Sequence, residues 1–294
     1  MLGRSSWSYR MFQVFNYSFL TVLSLLCVMP LVHLFAISLS SNSSAAAGDV
    51  FLWPVDFTLK SYEFVLGQSA FIESMLVTLQ RVALGVSLNM LITILVAYPL
   101  SKEANVLTGR TIYVWVFVFT MLFGGGIIPL YMTMRTLGLL DSLWALVLHS
   151  AVPVFNIVIL LNFFRNLPKE LEEAALIDGA GHWRILWNIY VPLSSASIAT
   201  VTLFSIVGHW NSWFDGILFM NSPDHYPLQS YLYTVVSGMQ AAINSSTDLE
   251  LLLLVSDRTA KAAQLFVGAL PVLLVYPFLQ RHFTKGIVLG SVKG

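Results

Sequence analysis

Few side chains in this 294-residue chain are able to do chemistry, and they fall into two groups. One is a charged, glycine-containing segment, residues 165–193, with Glu173-Ala174-Ala175, Asp178-Gly179-Ala180, Ile189 and Pro192 at its centre. The other is a set of polar groups stranded in apolar sequence: Arg81, His149, Asn156 and the run His209-Trp210-Asn211-Ser212-Trp213-Phe214-Asp215. Neither forms a catalytic constellation. G-x-S-x-G, H-E-x-x-H and the phosphate loop G-x-x-x-x-G-K-[ST] are all absent, so no catalytic residue, metal ligand or bound cofactor is expected of this chain. What remains is recognition: a face that another protein grips, and a path lined by aromatic and hydrogen-bonding groups.

The elements that must carry these groups follow from the charge count. Only 10% of residues are charged against 57% hydrophobic, with 15 Lys and Arg balancing 15 Asp and Glu. A soluble domain has about a quarter charged residues, so the class is integral membrane protein. The neutral balance excludes a nucleic-acid partner, which needs clustered Lys and Arg. A single cysteine, Cys27, excludes an internal disulfide framework.

A helix needs about 20 mostly apolar residues to cross the hydrocarbon, and six charge-free stretches meet that length: 11–48, 82–101, 111–134, 142–164, 185–214 and 262–280. The expected fold is therefore all-α, with six transmembrane helices. A seventh gap, 225–247, carries too many Ser, Thr, Asn and Gln and reads as a water-facing excursion. The run 14–39 after Arg4 and Arg10 is too long for a signal-peptide core and reads as a retained first span. Positive charge fixes orientation. The set Arg4, Arg10, Lys102, Arg110, Arg165, Lys169, Arg184, Arg281, Lys285 and Lys293 lies on one side, against Lys60, Arg135, Arg258 and Lys261 on the other. Both termini and the 165–193 loop are then cytoplasmic, 40–73 and 221–262 are external, and 281–294 is a cytoplasmic tail. The Ser/Asn/Ala-rich start of 40–73 reads as flexible, with no separate domain.

Within the loop, Asn166 and Pro168 signal a helix start. Glu170, Glu172 and Glu173 favour the positive end of its dipole, and Asp178-Gly179 signals its stop. A helix, a glycine turn and a second short helix would make a rigid knob, with Ala174, Ala175 and Ala180 leaving room for a close approach. A polar hairpin with no partner is the competing reading of the same residues.

The spacing E-A-A-x-x-D-G-A, eight residues, then I-x-V-P resembles the signature of permease subunits of binding-protein-dependent ABC importers, with Val191 where that family has Leu. The likeness extends along the chain. Gly124-Gly125-Gly126-Ile127-Ile128-Pro129, Leu137 to Ser142, His209 to Asp215, Tyr226 to Gln229 and the tail Lys285 to Gly294 resemble the smaller permease of maltose-type carbohydrate importers. The similarity is greatest to the subgroup for oligosaccharides and polysaccharide fragments. It implies a bacterial cytoplasmic-membrane protein that forms a heterodimer with a second permease. It also implies two ATPase subunits that bind ATP and Mg, and an extracytoplasmic sugar-binding protein. By resemblance, Glu173, Ala174, Ala175, Asp178, Gly179, Ala180, Ile189 and Pro192 contact the ATPases.

For the second group two readings stay open. His209, Trp210, Asn211, Trp213 and Asp215 offer the aromatic faces and hydrogen-bonding neighbours that a sugar pathway needs, and equally an interfacial belt with Asp215 in water. Arg81 would pair structurally or snorkel, unless an acidic sugar such as an alginate fragment is the cargo. His149 and Asn156 suit an interhelical hydrogen bond or a ligand. Gly124 to Gly126 with Pro129 should break span three, as a gate or for close packing. An ion-coupled secondary transporter would need acids in several spans where only Asp215 is available. A membrane scaffold without transport, or an intramembrane enzyme, completes the alternatives.

Overall fold

The computed structural model describes residues 7–237 and 257–291. The described residues hold only helices, turns and loops, with no strand among them. They divide into two compact units, one of the described residues of 1–69 with 235–269 and one of those of 70–234 with 270–294. Arg4, Lys293 and much of the expected external segment 221–262 lie outside the described residues.

The first unit contains α1 (Trp7–Ser38), α2 (Asn42–Ala47), α3 (Lys60–Gly67) and the start of α15 (Asp257–Ser291). Its core joins Ala36, Ile37, Ala45, Val50 and Ala262. The Ser/Asn/Ala tract after the first span, expected to be flexible, is instead a capped helix. Ser41 accepts a hydrogen bond from Ser44 N, Gly48 closes the helix at φ 86°, and the Ser44 hydroxyl donates to Asp56 at 2.8 Å. Three consecutive alanines supply the propensity once both ends are satisfied.

The second unit begins with α4 (Ser69–Ser101), a helix long enough to cross a bilayer. It continues through α5 (Arg110–Leu122), α6 (Ile127–Thr136), α7 (Leu143–Leu148), α8 (Val154–Arg165), α9 (Lys169–Ile177) and α10 (His182–Ile185). After a π-turn (Leu186–Tyr190) come α11 (Val191–Leu193), α12 (Ser195–Asn211), α13 (Phe214–Phe219) and α14 (Leu228–Val236). Helix α8 packs on both α5 and α12.

Three described helices, α1, α4 and α15, are individually long and apolar enough to cross a membrane. Two further stretches meet the test only as bent pairs. The expected third span breaks at Gly124 to Gly126, with α5 and α6 at 109°, and the expected fifth bends by 83° between α11 and α12. Gly126 takes φ 86°, a conformation open to a residue without a Cβ. The π-turn precedes Pro192, which has no N–H to donate. The ladder widens there, and Val191 N–H reaches back to Leu186 O.

Candidate functional site

Helix α9 starts one residue later than its proline suggests: Pro168 occupies the N-cap position, while the Asn166 side chain closes the preceding helix by donating to Asn162 O at 3.0 Å. Its end matches the glycine stop signal. Gly179 adopts φ 76°, its N–H reaches Leu176 O at 3.0 Å, and Ala180 N–H reaches Ala175 O at 2.9 Å. These two bonds make a Schellman cap. The chain can thus reverse within one residue and start α10.

A nine-residue helix presents two faces, because positions three and four apart share a side. Glu172 is half-buried, and Ala175 and Ala180 pack against the core of Tyr98, Leu160, Phe164, Ile185 and Tyr190, as does Ile189. Glu173, Ala174, Asp178, Gly179 and Pro192 are exposed. Beside them stand Leu176, Ile177 and Trp183, with Ile177 at 87% exposure. Leu176, Ile177 and Trp183 thus leave apolar surface open on a charged loop. Sequence reading singled out the alanines and glycine but not these three, since only the structure says which way they point.

The inner face of α9 is tied to the far end of α4. Lys102 Nζ donates to Glu172 Oε1 at 2.6 Å and to Tyr190 Oη at 3.0 Å, and Tyr190 Oη donates to Glu172 Oε2 at 2.5 Å. The ammonium also lies 4.0 Å and 4.2 Å from the ring centroids of Tyr98 and Tyr190. Tyr98 Oη contacts His182 Nδ1 at 3.1 Å. Burial would raise the Glu172 carboxyl, but the hydrogen bonds and charge of Lys102 and the Tyr190 hydroxyl outweigh it and hold the group below its ordinary value. A more open pair, Lys169 with Glu103, adds a second link between the same elements.

The polar groups stranded in the apolar sequence gather at another level of α4. Arg81 is 1% exposed and grips Asp215 with both terminal nitrogens. Its Nε points to His209 Nδ1 at 3.5 Å. Asp215 also accepts from the Ser212 hydroxyl at 2.7 Å and from Gly216 N at 3.0 Å, and His149 Nε2 lies 3.4 Å from its second oxygen. Asn89, with its amide oriented to match its neighbours, accepts a hydrogen bond from His209 Nε2–H at 3.3 Å and donates to Gly85 O and Ser150 O. Every oxygen of the carboxylate is satisfied, as a buried charge requires.

Two glycines make the cluster possible. A Cβ on Gly85 would lie 2.5 Å from the His209 ring, and one on Gly216 would lie 2.1 Å from the Ser230 hydroxyl. Asn156 stands apart, donating to Val201 O and Ser205 Oγ across the α8–α12 contact. Trp210 is buried, whereas Asn211 and Trp213 are exposed. Trp213 stacks on Tyr233 with centroids 4.3 Å apart. Asn89, Gly85, Gly216 and Tyr233 carried no signal in sequence, because each acts through a partner remote along the chain.

Relatives give these two sites a context. The family model for the binding-protein-dependent transport system inner membrane component matches residues 90–288. The polygalacturonan/rhamnogalacturonan transport system permease protein YtcP of Bacillus subtilis is 40% identical over 97% of this chain and 99% of its own length. Protein LplC of the same organism is 38% identical over 97% and 96%. A chain from a crystal structure of a bacterial ABC transporter involved in the import of the acidic polysaccharide alginate superposes with TM-score 0.84 at 33% identity, covering 95% of this chain and 98% of that one. The chain therefore belongs to the binding-protein-dependent transport system inner membrane component family, as a multi-pass permease subunit of ABC importers of carbohydrates.

Proposed function

We propose that this permease forms half of the pathway of an importer for acidic oligosaccharides, pairing with a second, different permease. Two ATPase subunits, which bind the ATP and Mg, would dock on α9 from the cytoplasm, and an extracytoplasmic binding protein would deliver the sugar. In this reading the chain crosses six times with both termini inside, and the two bent helix pairs count as the third and fifth spans. Segments 53–73 and 222–261, the second in part outside the described residues, would receive the binding protein. The tail from Arg281 would lie near the ATPases. Hydrolysis belongs to those partners, so this chain is not itself an enzyme.

The observation that carries the reading is the outward face of α9, where Glu173, Ala174, Gly179 and the exposed Ile177 form a small capped knob whose other side is fastened to the core. The acidic cargo rests on the relatives, named for polygalacturonan/rhamnogalacturonan and alginate transport. Within the pathway group, Trp213 stacked on Tyr233 and the neighbouring Asn211 offer the flat apolar face and polar edge that a sugar ring fits. Arg81, His209 and Asp215 would shape the wall behind them, with Trp210 packed alongside. Asn156 would hold α8 to α12.

The test is ATP-driven uptake in proteoliposomes holding the complete importer, offered oligogalacturonates, alginate oligosaccharides and neutral maltodextrins of equal length. Uptake of an acidic set, lost when Glu173 to Ala180 is scrambled, is expected. Full uptake by the scrambled chain would refute the coupling role, and preference for maltodextrins would refute the acidic cargo.

A further inference from the structure

We infer that Lys102 and Glu172 form a positioning latch that fastens the ATPase-facing helix to the end of α4, so that a displacement of α9 is delivered to α4. The inference rests on the coupling role proposed above and goes further by naming the residues through which α9 acts. Three observations carry it. First, α9 is bifacial: Glu172 points inward while Glu173, Ala174 and Ile177 point out, so the latch and the docking surface do not share side chains. A load on one face must pass through the helix to the other.

Second, the latch is over-determined. The Lys102 ammonium meets the Glu172 carboxylate, the Tyr190 hydroxyl and two aromatic rings, and the Tyr190 hydroxyl closes the triangle by donating to the other carboxylate oxygen. Tyr190 is itself wedged edge-on against Tyr98 at 5.0 Å and Phe164 at 5.3 Å, and Phe164 is 2% exposed. A surface ion pair held by two flexible side chains would slip under load. This one has its rotamers fixed by rings on α4, α8 and the π-turn. Lys102 and Glu172 side chains are 9% and 17% exposed, which also limits screening by salt.

Third, α4 is a helix of 33 residues, with Pro99 in its last turn and Lys102 directly after its end. From Lys102 to Arg81 it runs for about 30 Å at 1.5 Å per residue, and Arg81 is the residue that grips Asp215 beside the aromatic platform of Trp213. The latch therefore sits at one end of a rod whose other polar anchor borders the proposed pathway. A packed secondary element joining two sites in this way can carry coupling between them.

The experiment uses the complete importer in proteoliposomes, with uptake of oligogalacturonates and of alginate oligosaccharides measured against ATP hydrolysed. Glu172→Gln and Lys102→Met should keep the ATPases bound and hydrolysing while uptake per ATP falls roughly five- to tenfold, within the range of ordinary coupling energies. Tyr190→Phe, which removes only a hydroxyl, should fall less, and the exchange Lys102→Glu with Glu172→Lys should recover part of the loss. If Lys102→Met fails to reach the membrane, Glu172→Gln and Tyr190→Phe decide the question. Wild-type uptake per ATP in those variants would overturn the latch, as would loss of ATPase binding, which would make these residues part of the docking surface. With no uptake of either sugar by the wild type, the same variants must change the ATPase rate of the assembled complex, or the latch fails. Gly179→Trp serves as the separate control. If it leaves ATPase binding and uptake intact, the coupling role itself is wrong, whatever the latch variants do.

Discussion

Two ion pairs anchor helix α4, one within it at Arg81 and one at Lys102 just past its end, and they are built for different work. Arg81–Asp215 is sealed from water, bidentate, and saturated by a serine hydroxyl, a backbone amide and two histidines. Lys102–Glu172 lies at the rim, held by aromatic rings and one phenol. The first joins α4 to the broken end of the α12–α13 segment, where any loss of charge balance would expose a buried ion. The second joins α4 to a loop helix whose outer face must stay free for a partner. A buried pair gives shape at a high cost of failure. A rim pair on an aromatic cage gives direction to a moving part at a lower one.

The contrast predicts a graded series. Asp215→Ala should do the most damage, stranding Arg81 in a site 1% open to solvent, at about 3–5 kcal/mol. The expected result is loss of folded protein in detergent extracts, and an unchanged melting temperature would mean that the guanidinium reaches water. Next comes Gly216→Ala, whose Cβ would fall 2.1 Å from Ser230 Oγ and 2.7 Å from Pro227. Overpacking of that kind costs about 1–3 kcal/mol, and a thermal melt that matched wild type would show that α13 and α14 can part freely.

Glu172→Gln should destabilise by about 1–2 kcal/mol, since the partly buried ammonium keeps its rings and a phenol. Because the carboxyl is held below its ordinary value, the charged form contributes stability that is complete above the unfolded carboxyl value of about 4.3 and fades as pH falls through the lower folded value. The gap in melting temperature between wild type and Glu172→Gln should therefore be flat near neutrality and close only in acid below about pH 4. A gap that closed near neutrality would mean that Glu172 is not held as an anion. Smallest of all is Lys169→Ala: its contact with Glu103 is open to solvent on both sides, and stability should stay within measurement error. A measurable loss would place that pair in the latch.

Much of this was legible in the residues. Of the six charge-free stretches, three located the long helices α1, α4 and α15, while 142–164 is split into the short α7 and α8 around Pro153; three adjacent glycines marked the break between α5 and α6, and Asp178-Gly179 marked the end of α9, because each is a local property of backbone and burial. The pairings were not legible. Arg81 and Asp215 are 134 positions apart and Lys102 and Glu172 are 70 apart, and periodicity fixes a residue's face on its helix without saying which helix lies opposite. The same limit hid Gly85, which reads as an ordinary small residue until the His209 ring is found against it. The serine-rich start of the external segment misled for a related reason: Asp56, which accepts from the Ser44 hydroxyl, lies beyond the tract.

The central claim is that α9 turns one face to the ATPases and the other to α4, and site-specific photocrosslinking tests it most directly. A benzoylphenylalanine at Ile177 of the assembled, transport-active importer should yield an adduct with an ATPase subunit, and one at Ala174 likewise. The same probe at Leu160, in the core beneath the helix and fully buried, should yield none. Absence of any ATPase adduct from Ile177 and Ala174 in a complex that still transports would contradict the account.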